Sequence, residues 1–317
     1  MSWFATPKQL KQFGLLAMNR RNLEFIGRYN QRRLYPLVDN KLLTKQAALA
    51  AGIAVPEMIG SIDSPFQIRN LEQILNGRDQ FVIKPARGSA GKGILVITRR
   101  DQGKFYKPSG AALTLQDLKR DISNILSGLY SLGGKPDTAL LEALIQFDDS
   151  LSRYSFQGVP DIRVIVFKGF PVMAMLRCST AASDGKANLH QGAVGVGLAI
   201  NDGKASSAVQ NGEPVTRHPD TGERFDQLAI PYWHDILKLT SRCYELAGLG
   251  YLGCDVVIDK DRGPLILELN ARPGLAIQIA NQKGLFRRLS QIEQLSQTFH
   301  IEERVDYAMR MFDDSIA

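Results

Sequence analysis

The segment "GCDVVIDKDRGPLILELN", residues 253–270, constrains this chain more than any other stretch. Two apolar runs flank Lys260–Gly263, so they read as antiparallel strands of one hairpin. Pairing Asp259 with Pro264 sets Val257 opposite Ile266 and Asp255 opposite Glu268. Directly opposed residues share one face of a sheet. Asn270 lies two positions beyond Glu268 and shares that face. Val256, Val257, Leu267 and Leu269 beside them are apolar, so the face is not freely solvated. Opposed carboxylates repel, and buried unpaired charge is too costly to keep. A hard divalent cation with oxygen ligands satisfies the set. Neutralisation of each carboxylate by an Arg or Lys, Arg272 foremost, satisfies it as well. The residues alone leave both readings open.

A second feature is "VIKPARGSAGKGI", residues 82–94. It lacks the Gly-Lys-Ser/Thr ending of a Walker loop, and Gly88, Gly91 and Gly93 do not have GxGxxG spacing. Strand-like flanks make it a β-hairpin flap. Glycines let backbone N–H groups approach phosphate oxygens, and Lys84 at the end of an apolar strand can reach inward.

Around these features the pattern alternates between helix and strand. A basic helix is expected over 7–35, with Lys8, Lys11, Arg20, Arg21, Arg28, Arg32 and Arg33 against Glu24. That face suits solvent, an acidic partner or anionic headgroups. A helix over 41–51 is expected, capped by Asp39 or Asn40 and ended by Gly52, with Pro56 opening a strand. Further helices are expected near 67–76, 114–128, 232–247 and 299–315. "TALLEALI" reads as a buried strand or hinge, and "DIRVIVFKGFPVMAMLRC" as a hairpin turned at Lys168–Gly169. Residues 178–222, rich in Gly, Ser, Asn and Asp, read mostly as loops.

Composition narrows the class. The 317 residues allow two or three subdomains, with 44% apolar and 22% charged residues, ordinary for a globular chain. A net charge of +7 suits an anionic partner. Cys178, Cys243 and Cys254 lack paired spacing, which argues against a disulfide framework or zinc site and for a cytoplasmic setting. His190, His218, His234 and His300 form no metal-ligand pair. The first residues lack the pattern of a signal peptide, and no run is long enough to span a membrane.

In order, "DNKLLTK", "VIKPARGSAGKGI", "LLEALI", "DIRVIVFKGFPVMAMLR", "ANLHQGA" and "CDVVID…LILELNARPG" resemble the ATP-grasp family of carboxylate–amine ligases over roughly residues 39–285. The likeness is nearest the α-L-glutamate ligase-like branch, enzymes that add glutamate to proteins or small molecules. It implies an α+β ATP-grasp fold: two α+β subdomains clasping ATP, with a shortened helical N-terminal segment where relatives often carry a full domain. The expected organisation is a basic helical segment at 1–38, a small subdomain with the flap at 39–140, a large subdomain with the metal site at 141–298, and a C-terminal helix at 299–317.

The resemblance also implies roles. Lys41 and Lys84 hold ATP phosphates, and Gly88, Ser89, Ala90, Gly91 and Gly93 form the flap over them. Glu142 and the backbone at Leu144 and Ile145 meet adenine, and Asp149 the ribose. Arg163, Arg177 and Asn188 line the acceptor and γ-phosphate side. Asp255, Glu268 and Asn270 bind two Mg²⁺ ions, with Mn²⁺ an alternative. Arg272 and Gly274 border the acyl substrate. The implied chemistry joins a small-molecule or peptide carboxylate to an amine through an acyl-phosphate, with a protein acceptor one option. The rival is an ATP-grasp phosphotransferase acting on a hydroxyl or phosphate. A nucleic-acid module is a poorer fit, because aromatic–basic interleaving is not evident. His190 reads as a loop histidine, and Cys254, Trp3 and Trp233 as packing residues.

Overall fold

The computed structural model describes residues 6–88, 91–131 and 133–312. The chain divides into two compact units, one of Asp39–Gln46 and Val55–Gln146, the other of Met1–Val38, Ala47–Ala54 and Phe147–Ala317. The division passes through the helix Lys41–Ala50. That helix begins where expected, and Asn40 rather than Asp39 is seen capping it: its Oδ1 accepts the Leu42 and Leu43 amides at 3.0 and 3.3 Å.

The smaller unit contains β1 (Met58–Ile62), β2 (Phe81–Pro85), β3 (Leu95–Ile97), β4 (Arg99–Asp101), β5 (Lys104–Tyr106), β6 (Ala112–Leu113) and β7 (Ala139–Glu142). Four of these form an antiparallel sheet in the order β1-β7-β2-β3, and β4, β5 and β6 form a second. The helix Leu115–Leu126 buries Leu118, Ile122, Ile125 and Leu126, one apolar stripe at helical spacing. Thr114 and Asp117 close its first turn as a capping box. The stripe joins Phe81, Ile83, Phe105 and Leu141 in one core. Each such side chain contributes about 1.5–3 kcal/mol by leaving water.

The larger unit contains β8 (Asp161–Phe167), β9 (Phe170–Cys178), β10 (Val194–Leu198), β11 (Ala205–Gln210), β12 (Glu213–Pro214), β13 (Tyr251–Asp259) and β14 (Gly263–Asn270). They form one antiparallel sheet in the order β12-β11-β10-β9-β8-β13-β14. All nine residues of β13 are buried, so its apolar run serves both faces. The helix Trp233–Ala247 packs on β8, β9, β13 and β14 and stops at Gly248.

Residues 178–222 are mostly loop and turn, as expected, and also hold three short strands, β10 to β12. One glycine there serves packing: a Cβ on Gly197 would lie 2.6 Å from the Ala280 carbonyl. Two expectations need correction. The helix expected over 7–35 is broken into Pro7–Gln12, a helical stretch from Met18 to Tyr29 that is π-helical over Arg21–Ile26, a single turn at Arg32–Leu34 and the short helix Tyr35–Asp39. Buried amides take over the backbone groups at the breaks. Gln278 binds the N–H and carbonyl of Leu16 at 2.8 and 3.1 Å. Asn30 binds Tyr251 through both its groups and the Ala271 carbonyl. Second, the hairpin register is offset by one at its turn, where Asp259 pairs with Gly263.

The closing helix spans Ile301–Met311, and the expected end at 313–317 lies outside the described residues. Among the described residues no helix is long and apolar enough to cross a membrane.

Candidate active site

In the larger unit the hairpin delivers the expected acidic pair by an unexpected route. Val256 pairs with Ile266, then a bulge at Leu267 restores Asp255 opposite Glu268. On its other side Asp255 pairs with Arg163. A row therefore crosses three strands: Arg163 on β8, Asp255 on β13 and Glu268 on β14. Asn270 pairs with Gly253 at the end of the same hairpin.

Asp255 is 4% exposed. Arg163 grips both its oxygens, Nε to Oδ1 at 2.7 Å and Nη2 to Oδ2 at 2.6 Å. Arg177 adds Nη2 to Oδ2 at 2.8 Å and gives its Nε to Asp161 at 2.5 Å. Burial alone pushes the Asp255 carboxyl up. The guanidiniums of Arg163 and Arg177 outweigh that and hold it well below its ordinary value. Asp161 meets one of these guanidiniums in a hydrogen bond rather than two. Burial wins there and raises it. The positive partners of Asp255 are thus Arg163 and Arg177. Arg272 instead lies on the surface, its guanidinium 5.0 Å from the centre of the Tyr35 ring.

The donor chemistry of this row suits Mg²⁺. Asp255, Glu268 and Asn270 offer hard oxygens, and Asp255 is held deprotonated, as a ligand must be. Its Oδ2 already accepts two N–H bonds and its Oδ1 one, which leaves Oδ1 a lone pair. Among the described residues no three His, Cys, Asp or Glu side chains gather as a metal site, so the set is two carboxylates and an amide.

The smaller unit carries a second buried charge cluster. Glu142, at the end of β7, pairs with Lys84 of β2 and with Lys45 of the helix Lys41–Ala50, both at 2.6 Å. All three are buried. Desolvation pushes the Glu142 carboxyl up, but the ammonium groups of Lys84 and Lys45 prevail and leave it below its ordinary value. Lys41 plays another part: its Nζ donates to the Gly88 carbonyl at 2.8 Å and its amide to Ala86 at 2.8 Å. It tethers the base of the flap. Gly91 holds φ +72°, a conformation natural to glycine, and a Cβ at this position would meet nothing within 4 Å. Gly93 also lies in the flap, while Ser89 and Ala90 lie outside the described residues.

Other expected residues are more dispersed. Leu144 lines a cleft of about 530 Å³ with Gln80, Thr98 and Gln146, and Ile145 follows it, half-buried. Asp149 is exposed and belongs to the other unit, and its neighbour Asp148 caps the short helix there. Asn188 caps a turn of its own loop, accepting the His190 amide at 3.0 Å. Gly274 is exposed in the turn after β14, as is His190 in its loop. Cys254 and Trp233 are core residues as expected; Trp3 lies outside the described residues. All three cysteines are free and buried.

Two residues were missed by the sequence reading. Lys45 follows Lys41 by one helical turn in "KLLTK", a spacing that puts both on one face. Asp161 precedes Arg163 by two in a strand, which places them on the same side.

The two units, one with a glycine flap on an antiparallel sheet and one with an acidic hairpin, define an ATP-grasp fold. Residues 20–294 match the family described as sugar-transfer associated ATP-grasp, and the chain belongs to it. It is similar to a "Probable alpha-L-glutamate ligase" of Parasynechococcus marenigrum (strain WH8102), 24% identical over 247 residues, 78% of this chain and 39% of that protein. It is also similar to a protein of the same description from Xylella fastidiosa (strain M12), 25% identical over 257 residues, 80% of this chain and 63% of that one. The chain thus spans less than two thirds of either relative. Among solved structures it is similar to the D-cycloserine synthetase DcsG (TM-score 0.49, 14% identity, 82% of this chain and 71% of that chain). Another is the ATP-grasp ligase PsnB with its minimal precursor (TM-score 0.46, 16% identity, 92% of this chain and 75% of that chain).

Proposed function

We propose that this chain is an ATP-dependent carboxylate–amine ligase. The observation that carries the reading is the row Arg163–Asp255–Glu268 across three strands, in a chain of the ATP-grasp family. In the proposed reaction a substrate carboxylate attacks the γ-phosphate of ATP and ADP leaves. An amine then attacks the acyl-phosphate carbon, the C–N bond forms and phosphate leaves. Both partners in the first step are anions, so the protein must supply positive charge. In the smaller unit Lys84 and Lys45 outnumber Glu142 by one charge. In the larger, Arg163 and Arg177 balance Asp255 and Asp161, so a bound cation would have to supply the rest. Asp255, Glu268 and Asn270 would hold Mg²⁺, which when bound neutralises phosphate charge. The glycine flap keeps water from the acyl-phosphate. Glu142 holds both lysines in place, a positioning role rather than direct adenine contact.

The test is ADP release with Mg²⁺ and hydroxylamine across a panel of carboxylates. Hydroxylamine traps an acyl-phosphate as a coloured hydroxamate. Glutamate and short peptides belong in the panel because of the relatives' description. The family's sugar-transfer description adds uronic acids, with amino sugars among the amines. Hydroxamate with one acid supports the ligase and names the donor. ADP and a phosphorylated product without hydroxamate would assign the chain to phosphotransfer instead.

In the same assay Gly91→Val is expected to lower turnover by about a hundredfold. A β-branched residue at φ +72° costs roughly 1–3 kcal/mol and shifts the flap backbone. An unchanged rate would remove the flap from the mechanism.

A further inference from the structure

The N-terminal segment is held in place, yet it exposes large apolar side chains. Gln278 fixes both backbone groups of Leu16, and the Phe286 amide donates to the Gly14 carbonyl at 2.9 Å. Downstream, Asn30 is locked to Tyr251 and Ala271. Between and before these anchors Phe13 is 73% exposed, Met18 64% and Leu23 76%. Leu15 is exposed as well, its amide closing a turn back to the Leu10 carbonyl at 3.1 Å. These residues are displayed by a braced scaffold.

Their surroundings are basic. Residues 6–39 carry seven Lys and Arg against Glu24 and Asp39, which accounts for most of the chain's net charge of +7. Arg20 and Arg28 are committed to Glu24 and Glu293. Among the described residues Lys8 and Lys11, on the short helix beside Phe13, enter no ion pair. Bulky apolar groups interleaved with unneutralised cations match the two layers of an anionic bilayer, charged headgroups above acyl chains. A protein partner would favour a contiguous apolar patch with charge at its rim. Here Lys11 stands between the exposed Leu10 and Phe13, and Arg21, which pairs with no acid among the described residues, stands between Met18 and Leu23.

We propose that this segment docks the protein peripherally on an anionic membrane surface, with Phe13, Met18 and Leu23 entering the interface and Lys8 and Lys11 meeting headgroups. The proposal is independent of the reaction assigned above. No spanning helix is involved.

The test is flotation of the full chain with vesicles of phosphatidylcholine alone and of an equimolar mixture with phosphatidylglycerol. Binding is expected only to the mixture, and is expected to weaken as salt rises. Phe13→Ser and Leu23→Ser should each weaken it roughly tenfold, and Lys8→Glu with Lys11→Glu should abolish it. Unchanged melting temperatures would show that the variants are folded. No flotation with the mixture overturns the proposal. So does binding indifferent to Phe13 and Leu23, which would reduce the contact to net charge. A dimer dissolved by Phe13→Ser, without vesicle binding, would assign the face to a second copy and overturn it too.

Discussion

Glu142→Gln is expected to lower the stability of the fold by about 3–5 kcal/mol, read as a fall in the urea midpoint at neutral pH. The carboxylate sits 2.6 Å from each of two buried ammonium groups. Gln keeps the shape and an acceptor oxygen but removes the charge. Lys45 and Lys84 would then face each other across a neutral amide in a site from which water is excluded. Attraction on both sides becomes uncompensated repulsion. An exposed pair would be worth far less, because solvent screens it. A midpoint unchanged by the substitution would mean that water reaches this cluster.

The same carboxylate imposes a pH dependence. Its folded pKa lies below the ordinary 4.5, so the unfolded chain takes up the proton first as pH falls. The stability it contributes is complete above that ordinary value. It is lost as pH falls through the lower folded value. Urea midpoints followed from neutral pH into the acid range should drop more steeply for the wild type than for Glu142→Gln.

How much of this was legible in the sequence depends on which interaction set each residue. Asp255 and Glu268 were paired correctly because apolar runs on both sides of one turn leave few registers. The bulge at Leu267 was invisible, since a one-residue slip at the turn cancels it and gives the same pair. The partners of Asp255 were harder. Sequence proximity pointed to Arg272, four residues from Glu268. The sheet instead brings Arg163 and Arg177 from β8 and β9, 92 and 78 residues away. Strand order decides that, and local pattern does not carry strand order. The N-terminal break failed for a related reason. Helical spacing around Leu16 is sound locally, but the amide of Gln278, 262 residues later, claims its backbone.

Glu268→Gln is expected to lower turnover by at least about a hundredfold while the melting temperature stays near the wild-type value. The two parts of the expectation have different origins. Glu268 is half-buried on β14, the end strand of the seven-stranded sheet, and an isosteric amide there keeps the strand pairing intact. Its negative charge, in contrast, is what the proposed cation site requires. Asp255 has most of its acceptor capacity taken by Arg163 and Arg177, so it can offer a cation little by itself. Asn270 is neutral. Glu268 is therefore the main source of negative charge for a divalent ion in this row, and Gln removes it without opening a cavity. Excess Mg²⁺ should recover part of the lost rate if the defect is one of affinity. Turnover near the wild-type level would take the metal away from this hairpin and leave Glu268 a structural partner of its neighbours.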